Sequence, residues 1–168
     1  MKKLIVITGP FASGKSSVIE ELSFQRDFFY LSYDKIKRFF SYFDRKIHKT
    51  PVKDLMFVMA KELLSKNFLI VLESKEDRII QQAITEGYEV LEFAIDVSVE
   101  TAVARFRLRL EQPKNPRSFT ANIDENSSEE RFIEKYYEYK NSQSKNVPVY
   151  SSESMTPKEI ANDIAKKF

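Results

Sequence analysis

Five short apolar runs punctuate the chain, and each is separated from the next by a stretch with helical spacing. The first, Leu4-Ile5-Val6-Ile7 ending at Thr8, is continuous and β-branched, as in a parallel strand buried on both faces. Phe28-Phe29-Tyr30-Leu31, Phe68-Leu69-Ile70-Val71-Leu72, Val90-Leu91-Glu92-Phe93-Ala94-Ile95 and Val147-Pro148-Val149-Tyr150 are four further strand candidates. Between and after them the pattern predicts helices over 17–23, 34–43, 51–66, 76–86, 99–111, 128–142 and 157–167. In the fifth of these, Ala102, Val103, Phe106 and Leu110 share an apolar face. Strands alternating with helices imply βαβ units. The expected fold class is therefore α/β, a three-layer α/β/α arrangement around a five-stranded, mostly parallel sheet.

Several helix starts carry capping chemistry. Thr50 precedes a proline suited to a first helical position, Ser127 with Glu130 reads as a capping box, and Thr156-Pro157 with Glu159 combines both devices. Residues 112–127 have weak periodicity and many turn formers, including Pro113, Asn115, Pro116 and Asn122, and read as a mobile loop or short lid. No repeat, low-complexity tract or linker interrupts the chain, so residues 1–168 are expected to form a single domain.

Composition narrows the picture. With 168 residues, 42% hydrophobic and 31% charged, there is enough apolar material for one sizeable core. The 27 basic and 25 acidic residues nearly cancel to a formal charge of +2, which indicates neither a nucleic-acid surface nor an anionic membrane partner. The absence of cysteine removes disulfides, thiolate metal sites and thiol nucleophiles together. The apolar run after Met1-Lys2-Lys3 stops at Ile7, short of a signal core or a membrane span, and the expected location is cytoplasmic.

The chemistry begins immediately after the first run. Gly9-Pro10-Phe11-Ala12-Ser13-Gly14-Lys15-Ser16 fits GxxxxGK[ST], and Ser17 continues it into a helix; a strand before and a helix after are the context that makes this pattern a phosphate cradle. Loop amides and the unpaired N–H groups of the helix start converge on phosphate oxygens. Gly9 and Gly14 permit backbone angles and close approach that a Cβ obstructs. Lys15 would neutralise charge on the β- and γ-phosphates, and Ser16 would ligate Mg²⁺. Two of only three glycines in the chain fall in this segment. A nucleoside triphosphate is the expected ligand, with Mg²⁺.

In an open parallel sheet, ligands gather beyond the carboxyl ends of the strands. Polar residues stand there repeatedly: Ser32-Tyr33-Asp34, Glu73-Ser74, Asp96 and Ser151-Ser152. Asp34 opens a helix, where it either caps the helix or accepts the proton of an attacking hydroxyl. Glu73 ends the most hydrophobic strand candidate, where a Walker-B acid organises Mg²⁺ or its water; the alternative is a surface acid paired with Lys75 or Arg78. Arg105 and Arg109 lie one helical turn apart on a common face, a geometry suited to phosphate, while Arg107 points elsewhere; a solvated basic face paired with Glu100 or Glu111 is the competing account. Arg117, in the loop, is a further candidate to close over phosphates.

Other features read as structural. His48, the only histidine, has no partner for a metal site and is expected at the surface. Tyr136-Tyr137-Glu138-Tyr139 reads as helix packing with phenolic tips in water. Phe39-Phe40 and Tyr42-Phe43 suit either a pocket beside Asp34 or the core.

With the phosphate loop, Asp34, Glu73 and the arginine helix in this order, the chain resembles small P-loop kinases of the adenylate-kinase-like superfamily over nearly its whole length. Leu31-Ser32-Tyr33-Asp34-Lys35-Ile36-Lys37 is similar to the corresponding segment of zeta-toxin-like and small-metabolite kinases, whose aspartate is the proposed base. The resemblance implies transfer of the γ-phosphoryl group of ATP to a hydroxyl of a small molecule. It also implies that Asp34 is the base, that lid arginines contact the phosphates, and that the Ser151-Ser152 loop flanks adenine. Two positions depart from relatives. Glu73-Ser74-Lys75 stands where nucleoside monophosphate kinases carry Asp-Gly-x-Pro-Arg, which argues against AMP as acceptor, and Lys37 stands where many relatives carry arginine. A nucleotide-sugar kinase and a nucleotide-binding module without phosphotransfer remain alternatives; a GTPase would need an Asn-Lys-x-Asp motif, which is missing.

Overall fold

The computed structural model describes residues 2–41, 49–111 and 128–168. The expected lid over 112–127, Arg117, Tyr42-Phe43 and His48 lie outside them. Five strands, β1 (Lys3–Thr8), β2 (Phe29–Ser32), β3 (Ile70–Glu73), β4 (Glu89–Asp96) and β5 (Val149–Ser151), form one sheet in the order β2-β3-β1-β4-β5, with every pair parallel. Among the described residues seven helices complete the layers: α1 (Lys15–Ser23), α2 (Tyr33–Ser41), α3 (Lys49–Ser65), α4 (Asp77–Thr85), α5 (Val99–Glu111), α6 (Glu129–Ser142) and α7 (Pro157–Ala165). The alternation read from the sequence is thus the architecture of the chain.

The uninterrupted apolar run of β1 has a direct cause. Ile5 and Ile7 pack against Val18, Ile19 and Leu22 of α1 and Ile160 and Ile164 of α7. Leu4 and Val6 point the other way, to Met56, Ala60 and Leu64 of α3 and Ile79 and Ala83 of α4. All four side chains are fully buried, each stabilising the fold by roughly 1.5–3 kcal/mol. A third cluster joins Ala12 of the loop after β1 to Val103 and Phe106 of α5 and to Phe132 and Tyr136 of α6. The phosphate loop is therefore tied to two helices far from it in sequence.

Some boundaries shift. β2 starts at Phe29 and β3 at Ile70, later than the apolar runs, because Phe29 and Ile70 are the first residues to pair across the two strands. The capping box at α7 forms as read: Thr156 Oγ1 accepts from the Glu159 N–H, and the Glu159 carboxylate accepts from the Thr156 N–H at 2.7 Å. At α6 the cap is Ser128, not Ser127; its hydroxyl accepts from the Arg131 N–H at 3.2 Å, so no box with Glu130 forms. α3 begins at Lys49, which puts Thr50 inside the first turn and not ahead of it. Gly87, the glycine outside the phosphate loop, closes α4: at φ +76° its N–H donates to Ile84 O while the Tyr88 N–H reaches Ala83 O, a Schellman ending. The tyrosines of α6 also correct the expectation. Tyr136 is buried and donates to Val97 O (2.7 Å), Tyr139 donates to Thr8 Oγ1 (3.2 Å), and Tyr137 remains half exposed. Buried phenols seek acceptors, and the backbone and threonine provide them. Among the described residues no helix is long and apolar enough to cross a membrane.

Candidate functional site

Parallel pairing brings the ends of three strands level: Ser32 of β2 pairs with Glu73 of β3, and Glu73 pairs with Ile7 of β1. The phosphate loop leaves β1 at this edge. At Gly9 no side chain fits, since a Cβ would lie 2.4 Å from Ile95 O and 2.6 Å from Ser13 Oγ, and φ is +155°. Gly14 has room for a Cβ, the nearest atom being Ser152 Cβ at 3.9 Å; its requirement is the left-handed angle, φ +94°. It is also the N-cap of α1, and no side chain caps that helix end, which leaves the first amides oriented for an anion. Gly9→Ala is expected to lower stability by about 1–3 kcal/mol through overpacking and to weaken nucleotide binding in parallel, checked by urea unfolding and calorimetric titration.

Lys15 Nζ donates to the carbonyls of Gly9 (3.0 Å) and Pro10 (2.9 Å), folded back over its own loop. Burial holds its ammonium below the ordinary lysine range; Glu73 and Asp34 oppose that shift and Arg109 adds to it. Glu73 is engaged from two sides: Ser16 Oγ donates to its Oε1 at 3.0 Å, and the Tyr30 phenol donates to its Oε2. Neither pairing expected of a surface acid occurs, for Lys75 lies 3.6 Å from Glu92 and Arg78 bonds Asp54 at 2.7 Å. Burial, and then the charge of Glu73, push the Tyr30 phenol well above its ordinary range, so it stays a donor.

Mg²⁺ takes hard oxygen ligands, commonly one or two from the protein with the rest from phosphate and water. A serine hydroxyl in contact with a carboxylate at the mouth of a phosphate loop meets that requirement. No group of three or more His, Cys, Asp or Glu placed to hold a metal ion exists among the described residues, so most of the coordination sphere would come from nucleotide and solvent.

Asp34 occupies the first turn of α2, directly after β2, as its second residue rather than ahead of the helix. Its side chain is exposed into a cavity of about 870 Å³ shared with Gly9, Lys15, Ser16, Glu73 and Arg109. The two arginines divide. Arg109 faces this cavity, and burial followed by the neighbouring Arg105 lowers its guanidinium pKa. Arg105 instead donates to Ala12 O (3.0 Å), Ser152 Oγ (3.0 Å) and Ser152 O (3.2 Å), clamping the phosphate loop to the β5–α7 connection. Arg107 points away, as expected, but its partner is Glu129, with two contacts of 2.7 Å. Asp96 is drawn off by Lys140, 2.8 Å from both its oxygens, and anchors α6.

The cavity also takes residues that periodicity does not flag: Tyr30 of β2, Lys35 of α2, Lys53 and Met56 of α3, and Lys135 and Tyr139 of α6. Lys135 lies 5.7 Å from the ring of the half-exposed Phe11 at the tip of the loop. None of them carries a local signal in the sequence: Tyr30 depends on how β2 pairs with β3, and the others on how distant helices pack.

A five-stranded parallel sheet in this order, with a phosphate loop after its central strand, is the fold of the P-loop small-molecule kinases, and the match to them extends over the full chain. A protein of Chloroflexus aurantiacus proposed to be a kinase superposes with a TM-score of 0.73 at 14% identity, covering 99% of this chain and 98% of that one. Shikimate kinase from Acinetobacter baumannii, solved with shikimate, gives a TM-score of 0.64 at 14% identity over 98% and 91% of the two chains. Kti12 from Chaetomium thermophilum, solved with ADP-AlF3, gives 0.66 at 14% identity over 97% of each. The sequence itself matches no protein-family model and no curated protein.

Proposed function

We propose that the chain is an ATP-dependent kinase that transfers the γ-phosphoryl group to a hydroxyl of a small molecule. The observation that carries this reading is the convergence of Lys15, Asp34, Glu73 and Arg109 on one cavity at the mouth of the phosphate loop, where both carboxylates favour the charge on Lys15. A phosphate binder needs the lysine and the loop; an exposed carboxylate in the same cavity is what an attacking hydroxyl requires.

In this reading the amides of the loop and of the α1 start orient the triphosphate. Lys15 leaves the Gly9 and Pro10 carbonyls for the β- and γ-phosphates, and Arg109 adds a second cation, so both stabilise charge in the transition state. Ser16 and Glu73 would hold Mg²⁺ or its water, and the ion would supply positive charge against the phosphates. The acceptor oxygen bonds to the γ-phosphorus as the bond to the β–γ bridging oxygen breaks. ADP leaves, and Asp34 takes the hydroxyl proton. Arg105 supports this arrangement from behind by fixing the loop backbone at Ala12. The resemblance of 31–37 to small-metabolite kinases and the missing Asp-Gly-x-Pro-Arg segment favour an acceptor other than AMP.

The test is acceptor-dependent ADP release with Mg²⁺ across nucleosides, sugars, nucleotide-sugars and hydroxylated antibiotics. Release stimulated by one acceptor supports the kinase. Stimulation by a nucleotide-sugar selects the zeta-toxin-like alternative, and ATP binding with no stimulated release supports a binding module.

A further inference from the structure

Glu73 is one methylene longer than the aspartate usual at a Walker-B position, and that methylene adds a rotatable bond. Fixing so mobile a side chain costs rotamer freedom, so a carboxylate that must present itself to a metal site needs an anchor. We propose that Tyr30 is that anchor: a positioning residue whose phenol fixes the Glu73 carboxylate for the Mg²⁺ site at the phosphate loop. This rests on the preceding reading of the loop as a site for nucleotide with Mg²⁺.

Among the described residues each oxygen of Glu73 has one hydrogen-bond donor, Ser16 on Oε1 and Tyr30 on Oε2. The two donors are not equivalent. Ser16 Oγ is itself the oxygen offered to the metal, and engaging there competes with its bond to Glu73. The phenol of Tyr30 is not itself the oxygen offered to the metal, and although the Ser16 and Ser32 hydroxyls also lie within its hydrogen-bonding reach, its bond to Glu73 is the one that can persist through loading. Tyr30 is also well held. It stands within β2, paired in register with Val71 of β3, and its ring packs against the core cluster beneath α1. Lys35 Nζ sits 4.1 Å from the ring centroid on the cavity side, a cation–π contact that restrains the ring further. A rigid strand residue thus positions a flexible acid, an outer-shell arrangement whose loss typically costs 10–100-fold in metal affinity.

The experiment measures binding of the non-hydrolysable ATP analogue AMPPNP by calorimetry, in Mg²⁺ and in EDTA, for the wild type, Tyr30→Phe, Glu73→Gln and the double variant. The expected result is that Mg²⁺ tightens analogue binding to the wild type and that Tyr30→Phe reduces this gain by about 10-fold or more. Affinity in EDTA and the melting temperature should stay close to wild type. In the Glu73→Gln background, Tyr30→Phe should add nothing, since the two act through one contact. An unchanged Mg²⁺ gain in Tyr30→Phe overturns the assignment. So does a loss that appears equally in EDTA, or one that persists in the Glu73→Gln background, because either marks a merely structural tyrosine. The titration needs neither acceptor nor turnover: a chain that transfers no phosphoryl group defeats the kinase reading while the Mg²⁺ gain still decides Tyr30.

Discussion

Lys15→Met is expected to lower turnover by about 10²–10³-fold while leaving the chain folded and, near neutral pH, more stable than the wild type. Both halves follow from one environment. The ammonium is buried against its own loop, with its charge supported by Glu73 and Asp34 yet its pKa still held below the ordinary 10.5. Lowered pKa means that the native state binds this proton less tightly than the unfolded chain does. At neutral pH the charged lysine therefore costs stability, and the cost fades as pH rises through the native pKa towards the unfolded value. Methionine keeps the length and removes the charge. The melting-temperature advantage of Lys15→Met over the wild type should accordingly shrink between neutral pH and pH 10, as measured by thermal unfolding without nucleotide. A variant that loses turnover and stability together would show that the two carbonyl bonds at Gly9 and Pro10, not phosphate chemistry, are the main work of Lys15.

Asp34→Asn is the second large effect, a fall in turnover of about 10²–10⁴-fold, the range for removal of a general base. Asparagine retains the shape and hydrogen-bonding reach of aspartate but takes no proton at neutral pH. Affinity for AMPPNP with Mg²⁺ should stay within about twofold, because Asp34 contributes no phosphate contact in this reading. Its other role, a negative charge in the first turn of α2, is worth about 0.3–1 kcal/mol, so a small fall in melting temperature accompanies the kinetic loss. Turnover unchanged in Asp34→Asn with the same small destabilisation would reduce Asp34 to a helix-dipole residue.

The fold was legible because its signals are local. β1 declares burial on both faces by its continuous apolar run, Gly9 to Ser16 declares a loop leading from a strand into a helix, which the structure starts at Lys15, and Thr156-Pro157 with Glu159 declares the start of α7. The shifts arise where local chemistry is degenerate. Ser127 and Ser128 are the same residue type side by side, and only the chain direction into α6 selects the second. Within the site, Glu73 was legible from its place at a strand end, but its partners were not: Tyr30 lies 43 positions away in sequence and reaches it only through the pairing of β2 with β3. The arginine spacing placed Arg105 and Arg109 on one face correctly. It could not tell that Ala12 and Ser152 claim Arg105 while Arg109 faces the cavity, because those claims depend on how the loop after β1 and the connection after β5 meet α5. Lys53, Lys135 and Tyr139 enter the cavity from helices whose packing sets their direction, and no spacing in the sequence encodes that.

Phosphoryl transfer itself is tested most directly by following the label of [γ-³²P]ATP in the presence of Mg²⁺ and the acceptor that most stimulates ADP release, for the wild type and Asp34→Asn. The expected result is label on the acceptor, in amounts equal to the ADP formed, and its near disappearance in Asp34→Asn while nucleotide binding persists. Nucleotide bound normally but label found only in ATP or inorganic phosphate, for every acceptor offered, would contradict the kinase assignment.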